Sequence, residues 1–494
     1  MKRESITIPV GENYDQAILM KWCFIGVVLA GAMVWGGAGR AEDAAAGFAF
    51  DRFQLTLEEG FRTEAAGPFY FSQHADAERT WGIPPFYSRD DNPAVDADED
   101  DYLYPLLTRI RYGQERRWQF CELISTSSGL APDDTTPHRV TVFPFYFSQR
   151  AADTNLNYTA VVPFYGRLKH RLFKDEIYFI LLPGYVETKK RDVVTENYLF
   201  PIVDVHHGDG MTGWQVWPFV GREHKDVTTQ TNGFGEVTIV PGHDHAFYLW
   251  PFYLTQDNGL GSKNPETFRA SFPFYVQDRS AERDLTTVLW PFYTTIDDRV
   301  RKYHERQEPW PIVIFADGGG EHTSRVWPFF SESHNDTKEW DSYVWPLYVY
   351  TRTHADPLDQ QRTRWLFYLY SRLSVKNTET GHERVRLDMW PFFTWHHDFN
   401  GNERLQILSI LEPFVPDNPR IERNWSPLWA LWRAENNAQT GATSRSLLWN
   451  LFRRDSAPGR DKVSCLFGLY RYEAKAGGKS LRLFYVPVLR ASAK

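Results

Sequence analysis

Three histidine clusters are the residues best suited to chemistry: His206-His207 with Asp209, His243-Asp244-His245, and His396-His397 with Asp398. Imidazole and carboxylate donors suit zinc and similar ions, and His243 and His245, two apart, would share one face of a strand. The metal candidates are therefore His206, His207, His243, His245, His396 and His397. None has the helical or thiolate spacing of a familiar zinc motif. Each cluster also borders turn-like sequence such as Gly208-Asp209-Gly210, which reads as solvated hairpin. A metal-dependent enzyme would require the fold to bring clusters together. The acidic run Asp90-Asp91 to Asp96-Ala97-Asp98-Glu99-Asp100-Asp101 offers carboxylates for calcium. It lacks the glycine and closing glutamate of an EF-hand loop and reads as a solvated loop. Gly318-Gly319-Gly320 has no lysine or helix context for phosphate and reads as a turn. With no Gly-x-Ser-x-Gly elbow and no cofactor motif, no catalytic residue and no cofactor is assigned.

The elements that would position these groups come from a repeat. Trp327-Pro328-Phe329-Phe330 has close copies at Pro68-Phe69-Tyr70, Pro85-Phe86-Tyr87, Pro144-Phe145-Tyr146, Pro163-Phe164-Tyr165, Trp217-Pro218-Phe219, Trp250-Pro251-Phe252-Tyr253, Trp290-Pro291-Phe292-Tyr293, Trp345-Pro346-Leu347-Tyr348 and Trp390-Pro391-Phe392-Phe393. With the further copies Tyr104-Pro105-Leu106, Leu182-Pro183-Gly184-Tyr185, Phe200-Pro201-Ile202, Phe272-Pro273-Phe274-Tyr275 and Trp310-Pro311-Ile312, the spacing is mostly 17 to 22 residues. Later copies, Trp365-Leu366-Phe367-Tyr368 and Leu483-Phe484-Tyr485, keep the aromatics without proline. The constant demand is thus a short aromatic segment flanked by polar alternation, which is a strand signal. Asn258-Gly259 and Phe399-Asn400-Gly401-Asn402 lie between copies and suit hairpins.

Two all-β geometries follow. In one, each copy is a single long strand, such as Glu339 to Thr351, in an antiparallel meander of about twenty strands closed as a large β-barrel. A 12-residue strand tilted by about 45° rises roughly 29 Å, enough for an outer-membrane band of about 25 Å. In the other, proline is a corner and each unit is a hairpin in a soluble repeat array or solenoid. Mid-strand prolines argue against the barrel, because each would leave a neighbouring carbonyl without a donor.

Composition bounds the function. Net charge is −8, with a pI near 6.0, which gives no basic footprint for nucleic acid. Aromatics make up 16%, with 19 Trp, 25 Tyr and 35 Phe, favouring strands and membrane–water interfaces. Residues 1–41 read as an export signal, with Met20 a second possible start and the apolar run Trp22 to Trp35 before Ala41. Residues 42–67 read as a lead-in and 68–494 as the β repeat domain. Cleavage would leave only Cys121 and Cys465, which permit one bridge at most.

At Glu422-Arg423-Asn424-Trp425-Ser426-Pro427-Leu428-Trp429, at Ser446 to Leu451 and at the Trp-Pro-Phe copies, the chain resembles a group of uncharacterised exported bacterial proteins with tandem Trp-Pro-Phe/Leu-Phe/Tyr repeats. That resemblance implies an exported β-rich repeat protein and carries no activity, cofactor or catalytic residue. The expectation is an exported cell-envelope protein, an outer-membrane barrel of structural or pore type. The alternative is a periplasmic or surface scaffold or a glycan-binding repeat. The expected partner is a membrane, with a glycan or envelope protein as the alternative, and the oligomeric state is left open.

Overall fold

The computed structural model of the chain describes residues 50–129, 135–231 and 237–492; the export signal expected at 1–41 lies outside them. Among the described residues, 43 strands form one antiparallel sheet. Each pairs with the next in sequence, apart from one excursion. Between Val220–Lys225 and Gly242–Tyr248, which pair directly, the chain makes a separate hairpin, Thr228–Thr231 with Val237–Val240. The lead-in supplies the first two strands, Phe50–Gln54 and Gly60–Ala65.

Each repeat is a hairpin of two short strands, so the strand number is about double the one expected. Glu339 to Thr351, read above as a single strand, is two: Lys338–Tyr343 and Tyr348–Ala355, joined at Val344 to Leu347. The proline is a corner. The Val326 carbonyl accepts from the Phe329 N–H at 2.9 Å, and the Trp327-Pro328 bond is cis, as in the turn that places a cis proline third. Successive turns continue the ladder: Trp327 N–H donates to the Ile312 carbonyl at 2.8 Å, and the Pro328 carbonyl accepts from Trp345 N–H at 2.7 Å. Proline therefore removes no donor that the sheet needs. Where proline is absent, at Leu366-Phe367, Leu466-Phe467 and Phe484-Tyr485, both residues take positive φ, the other route to a tight hairpin.

Because strands alternate in direction, every aromatic turn falls on one edge of the sheet. The opposite edge carries polar turns such as Asp209-Gly210, Gly319-Gly320 and Asp398 to Asn402. Leu172-Phe173 is an apolar exception there.

The two faces also differ. On one, the second strand residue counted from an aromatic turn, on either flanking strand, is mostly buried and often small or polar. Ser88, Asp101, Thr287, Thr294, Ser331, Ser342, Ser371 and Thr394 all belong to this row, linked by direct cross-strand pairing. An apolar stretch of the same face holds Tyr158, Ala160, Leu168, Phe179 and Val186. On the other face, residues run from aromatic to polar to charged with distance from the aromatic edge. Tyr293, Thr295 and Asp297 show this order, as do Tyr275, Gln277 and Arg279.

The backbone ladder does not close into a barrel: Phe50–Gln54 pairs only with its successor and Val486–Ser492 only with its predecessor. The beginning and end of the sheet nevertheless touch through side chains. The Arg52 carbonyl accepts from Lys462 Nζ at 2.5 Å and from an Arg471 guanidinium nitrogen at 2.7 Å. Asp51 is buried against both cations.

The seam is extended by an insertion. In place of an aromatic turn, Leu408 to Leu431 contains two short helices, Pro419–Asn424 and Ser426–Trp429. So the segment Glu422 to Trp429 is not a strand repeat. Its Arg423 reaches Glu99, Asp101, Asp90 and Ser88, and Arg420 reaches Glu99. This corrects the reading of Asp90 to Asp101 as a solvated loop. Those residues form Tyr87–Asn92 and Ala97–Tyr102, with Asp98, Asp100 and Asp101 buried and arginines where calcium was considered. Cys121 and Cys465 are both free.

Candidate functional site

The first candidate is the aromatic edge. The residue that follows the turn proline is most often Phe, and Phe219, Phe252, Phe274, Phe292, Phe329 and Phe392 are 57–68% exposed. Where Trp precedes proline, the indoles of successive turns meet along the edge in tilted contacts. Trp217–Trp250, Trp290–Trp310 and Trp327–Trp345 have ring centroids 5.8, 6.2 and 5.9 Å apart. A Tyr or Phe often begins the next strand, on the face opposite the buried row of small and polar residues. The hydrogen bonds between turns hold this array in register, so it is a continuous apolar strip and not a set of independent loops.

The second candidate is a histidine cluster. Sheet register places His206, Gly213, Glu223 and His245 opposite one another on four neighbouring strands, Val203–Gly208, Met211–Val216, Val220–Lys225 and Gly242–Tyr248. His243, two residues from His245, lies on the same face, as strand alternation requires. The Glu223 carboxylate is the centre. His243 Nε2 contacts Oε1, His245 Nδ1 lies 3.6 Å from Oε1, and His206 Nε2 lies 3.0 Å from Oε2. The rings of His243 and His245 stack at 4.3 Å.

Each outer histidine is held from behind. His206 Nδ1 bonds Asp204 Oδ1 at 2.7 Å, and His245 Nε2 bonds Asn258 Oδ1 at 2.7 Å. The Asp204 and Glu223 carboxylates push His206 up to about 9, against the effect of burial. The same histidine contact draws Glu223 down to about 2. A cavity of about 250 Å³ opens here, lined by His206, Glu223 and His245 with Trp217, Phe247 and Trp250 from the aromatic side.

Of the six metal candidates, then, the fold unites His206, His243 and His245. His207 is exposed on the opposite face from His206. His396 and His397 belong to another strand, Phe393–His397, and point to opposite faces. Burial and the neighbouring Arg404 and Arg386 push His396 down to about 3, an environment hostile to a cation. Glu223, Asp204 and Gly213 were not singled out in sequence. A hairpin register drawn through the repeats would have aligned Glu223 with His245.

No protein-family model matches the chain, and no curated protein is significantly similar to it.

Proposed function

We propose that this is an exported cell-envelope protein that seats its aromatic edge in a lipid interface, with the sheet drawn into a ring by the side-chain seam that ties its opening strands to Arg460–Cys465, Tyr470–Lys475 and the helical insertion. The observation that carries the reading is the segregation of aromatic turns to one edge and polar turns to the other. Trp and Tyr favour the headgroup level of a bilayer, and an interfacial element enters to about 5–10 Å.

Depth separates this from a strand-spanning barrel. The apolar zone is the turn plus one ladder position. Beyond Tyr293 and Tyr275 come Thr295 and Gln277, then Asp297 and Arg279. A six-residue strand reaches roughly 20 Å even if untilted, and its charged half leaves far less than the apolar band of about 25 Å that a spanning barrel presents. Sugar stacking is less well served. The most exposed tips are Phe, which offers no hydrogen bond, while the Trp rings are engaged with one another.

The net charge of −8 argues against attraction to anionic headgroups, so zwitterionic vesicles are the appropriate probe. The full chain is expected to float with phosphatidylcholine vesicles and to be released by detergent, not by salt. Recovery wholly in the lipid-free fraction, or release by salt alone, would overturn the reading.

A further inference from the structure

Independently of the lipid-facing edge, the histidine cluster carries an inference of its own. We propose that Glu223, His243 and His245 bind one divalent transition-metal ion of the zinc class, with His206 as the residue that positions the carboxylate.

Three observations lead there. The donor atoms of Glu223, His243 and His245 all lie within 4.8 Å of one another. Bonds of about 2.0–2.2 Å to an ion at their centre bring tetrahedral donors to roughly 3.3–3.6 Å apart, so no pair of the three needs to close by more than about 1.5 Å. Nitrogen and carboxylate donors are the set this class of ion takes.

The second is the company Glu223 keeps. Several buried carboxylates elsewhere on the sheet face fixed cations, Asp98 with Arg109 and Arg111, Asp101 with Arg423, Asp388 with Arg386 and Asp51 with Lys462, whereas the partly buried Glu223 faces imidazoles. Among the described residues, the ion-pair partners of Glu223 are His206, His243 and His245. Imidazole can serve as neutral ligand where guanidinium cannot.

The third is that the surroundings are built. His206 is only 8% exposed and its Nε2 makes no well-aligned hydrogen bond, although it sits 3.0 Å from Glu223 Oε2. It reaches across an entire strand to get there. The intervening residue is Gly213, where a Cβ would come within 2.0 Å of His206 Nε2. Any side chain at 213 would therefore evict the imidazole. Behind it, Asp204 fixes Nδ1, and Asn258 fixes Nε2 of His245 so that Nδ1 faces the carboxylate. These are the outer-shell carboxylate and amide contacts that orient metal ligands.

The test is titration of the chelator-stripped full chain with Zn2+, followed by calorimetry and by metal analysis after gel filtration. One equivalent is expected. His243→Ala and His245→Ala should each abolish stoichiometric binding. Gly213→Ala, which displaces His206 without touching a ligand, should weaken it about 10- to 100-fold. His207→Ala, one residue from His206 but on the other face, should bind as the wild type does. Should the alanine variants fail to fold, Co2+ bound to the wild type supplies a second readout: intense visible bands of a four-coordinate nitrogen–oxygen site are expected. A folded wild type that retains no Zn2+ would overturn the proposal. So would retention unchanged in His243→Ala and His245→Ala, or Co2+ spectra of the hexa-aquo ion alone.

Discussion

Arg423→Met is the substitution that most sharply tests whether the two ends of the sheet are held together. The guanidinium of Arg423 lies 2.6 Å from Glu99 Oε1, 2.6 Å from Asp101 Oδ2 and 3.3 Å from Asp90 Oδ2, and donates to Ser88 Oγ at 2.9 Å. Its side chain is 8% exposed and that of Asp101 0%. Removing one partner of such a buried pair costs about 3–5 kcal/mol, because the other charge stays behind unmatched. The lower end applies here. Glu99 keeps Arg420 at 2.6 Å, Asp90 is partly solvated, and Asp101 retains Asn424 Nδ2 at 2.9 Å and Thr108 Oγ1 at 3.2 Å. A long meander in which each strand touches its neighbours need not unfold as one unit, so the assay must be local. Native-state hydrogen exchange read by mass spectrometry suits it. A loss of about 3 kcal/mol corresponds to roughly a hundredfold faster exchange in Ala97–Tyr102 and Pro419–Asn424, with Glu266–Ser271 unchanged. Adding Asp101→Asn should recover part of the loss by removing the stranded charge. Less than a threefold change at the seam, or an equal change everywhere, would refute the side-chain closure.

Further expectations follow from the two faces. Asp278 is pushed up to about 7 by burial and by the nearby Glu266 carboxyl. Its folded value exceeds the ordinary 3.8, so the folded state holds the proton more tightly and stability falls as pH rises from about 4 to 7. Asp278→Asn should therefore raise the melting temperature at pH 8 and change it little at pH 4; an equal shift at both would contradict the assignment. Ser331→Leu fills a position with no free space in the small-residue row, where Ser331 Oγ accepts from Arg325 Nε at 3.0 Å. Overpacking should cost about 1–3 kcal/mol in urea unfolding, and a neutral result would mean the row is not close-packed.

The all-β class and the repeat were legible because aromatic segments recur between polar alternations, and turn residues such as Asn400-Gly401 fall between them. Strand number was not. Trp345-Pro346-Leu347 lies amid residues of high β-propensity, and propensity alone cannot tell a strand centre from a turn tip. The objection that mid-strand prolines strip donors from the ladder contained the answer, since a third-position proline in a turn strips none. Asp98 to Asp101 looked solvated because their partners, Arg109, Arg111 and Arg423, are 9 to 324 residues away. The histidine site was half visible for the same reason: His243 and His245 share a strand, whereas Glu223 and His206 reach them only through register. The insertion at Leu408 to Leu431 was hidden by Trp425-Ser426-Pro427, whose composition imitates a repeat while Asn418 caps a helix just before it.

The central claim is that the aromatic edge enters the lipid interface to shallow depth. Each Phe tip is about three-fifths exposed in water, and covering that exposed part is worth about 1 kcal/mol. Replacing Phe274, Phe292 and Phe329 together with Ser should thus weaken vesicle binding by about two powers of ten. The most direct measurement is quenching of tryptophan fluorescence by phosphatidylcholines brominated either near the headgroup or near the chain end. Trp250, Trp290, Trp327 and Trp345 lie along that edge and report its position. Strong quenching by the shallow bromines and little by the deep ones, lost in the triple variant, is the predicted result. Quenching by neither, or equally by both, would contradict it.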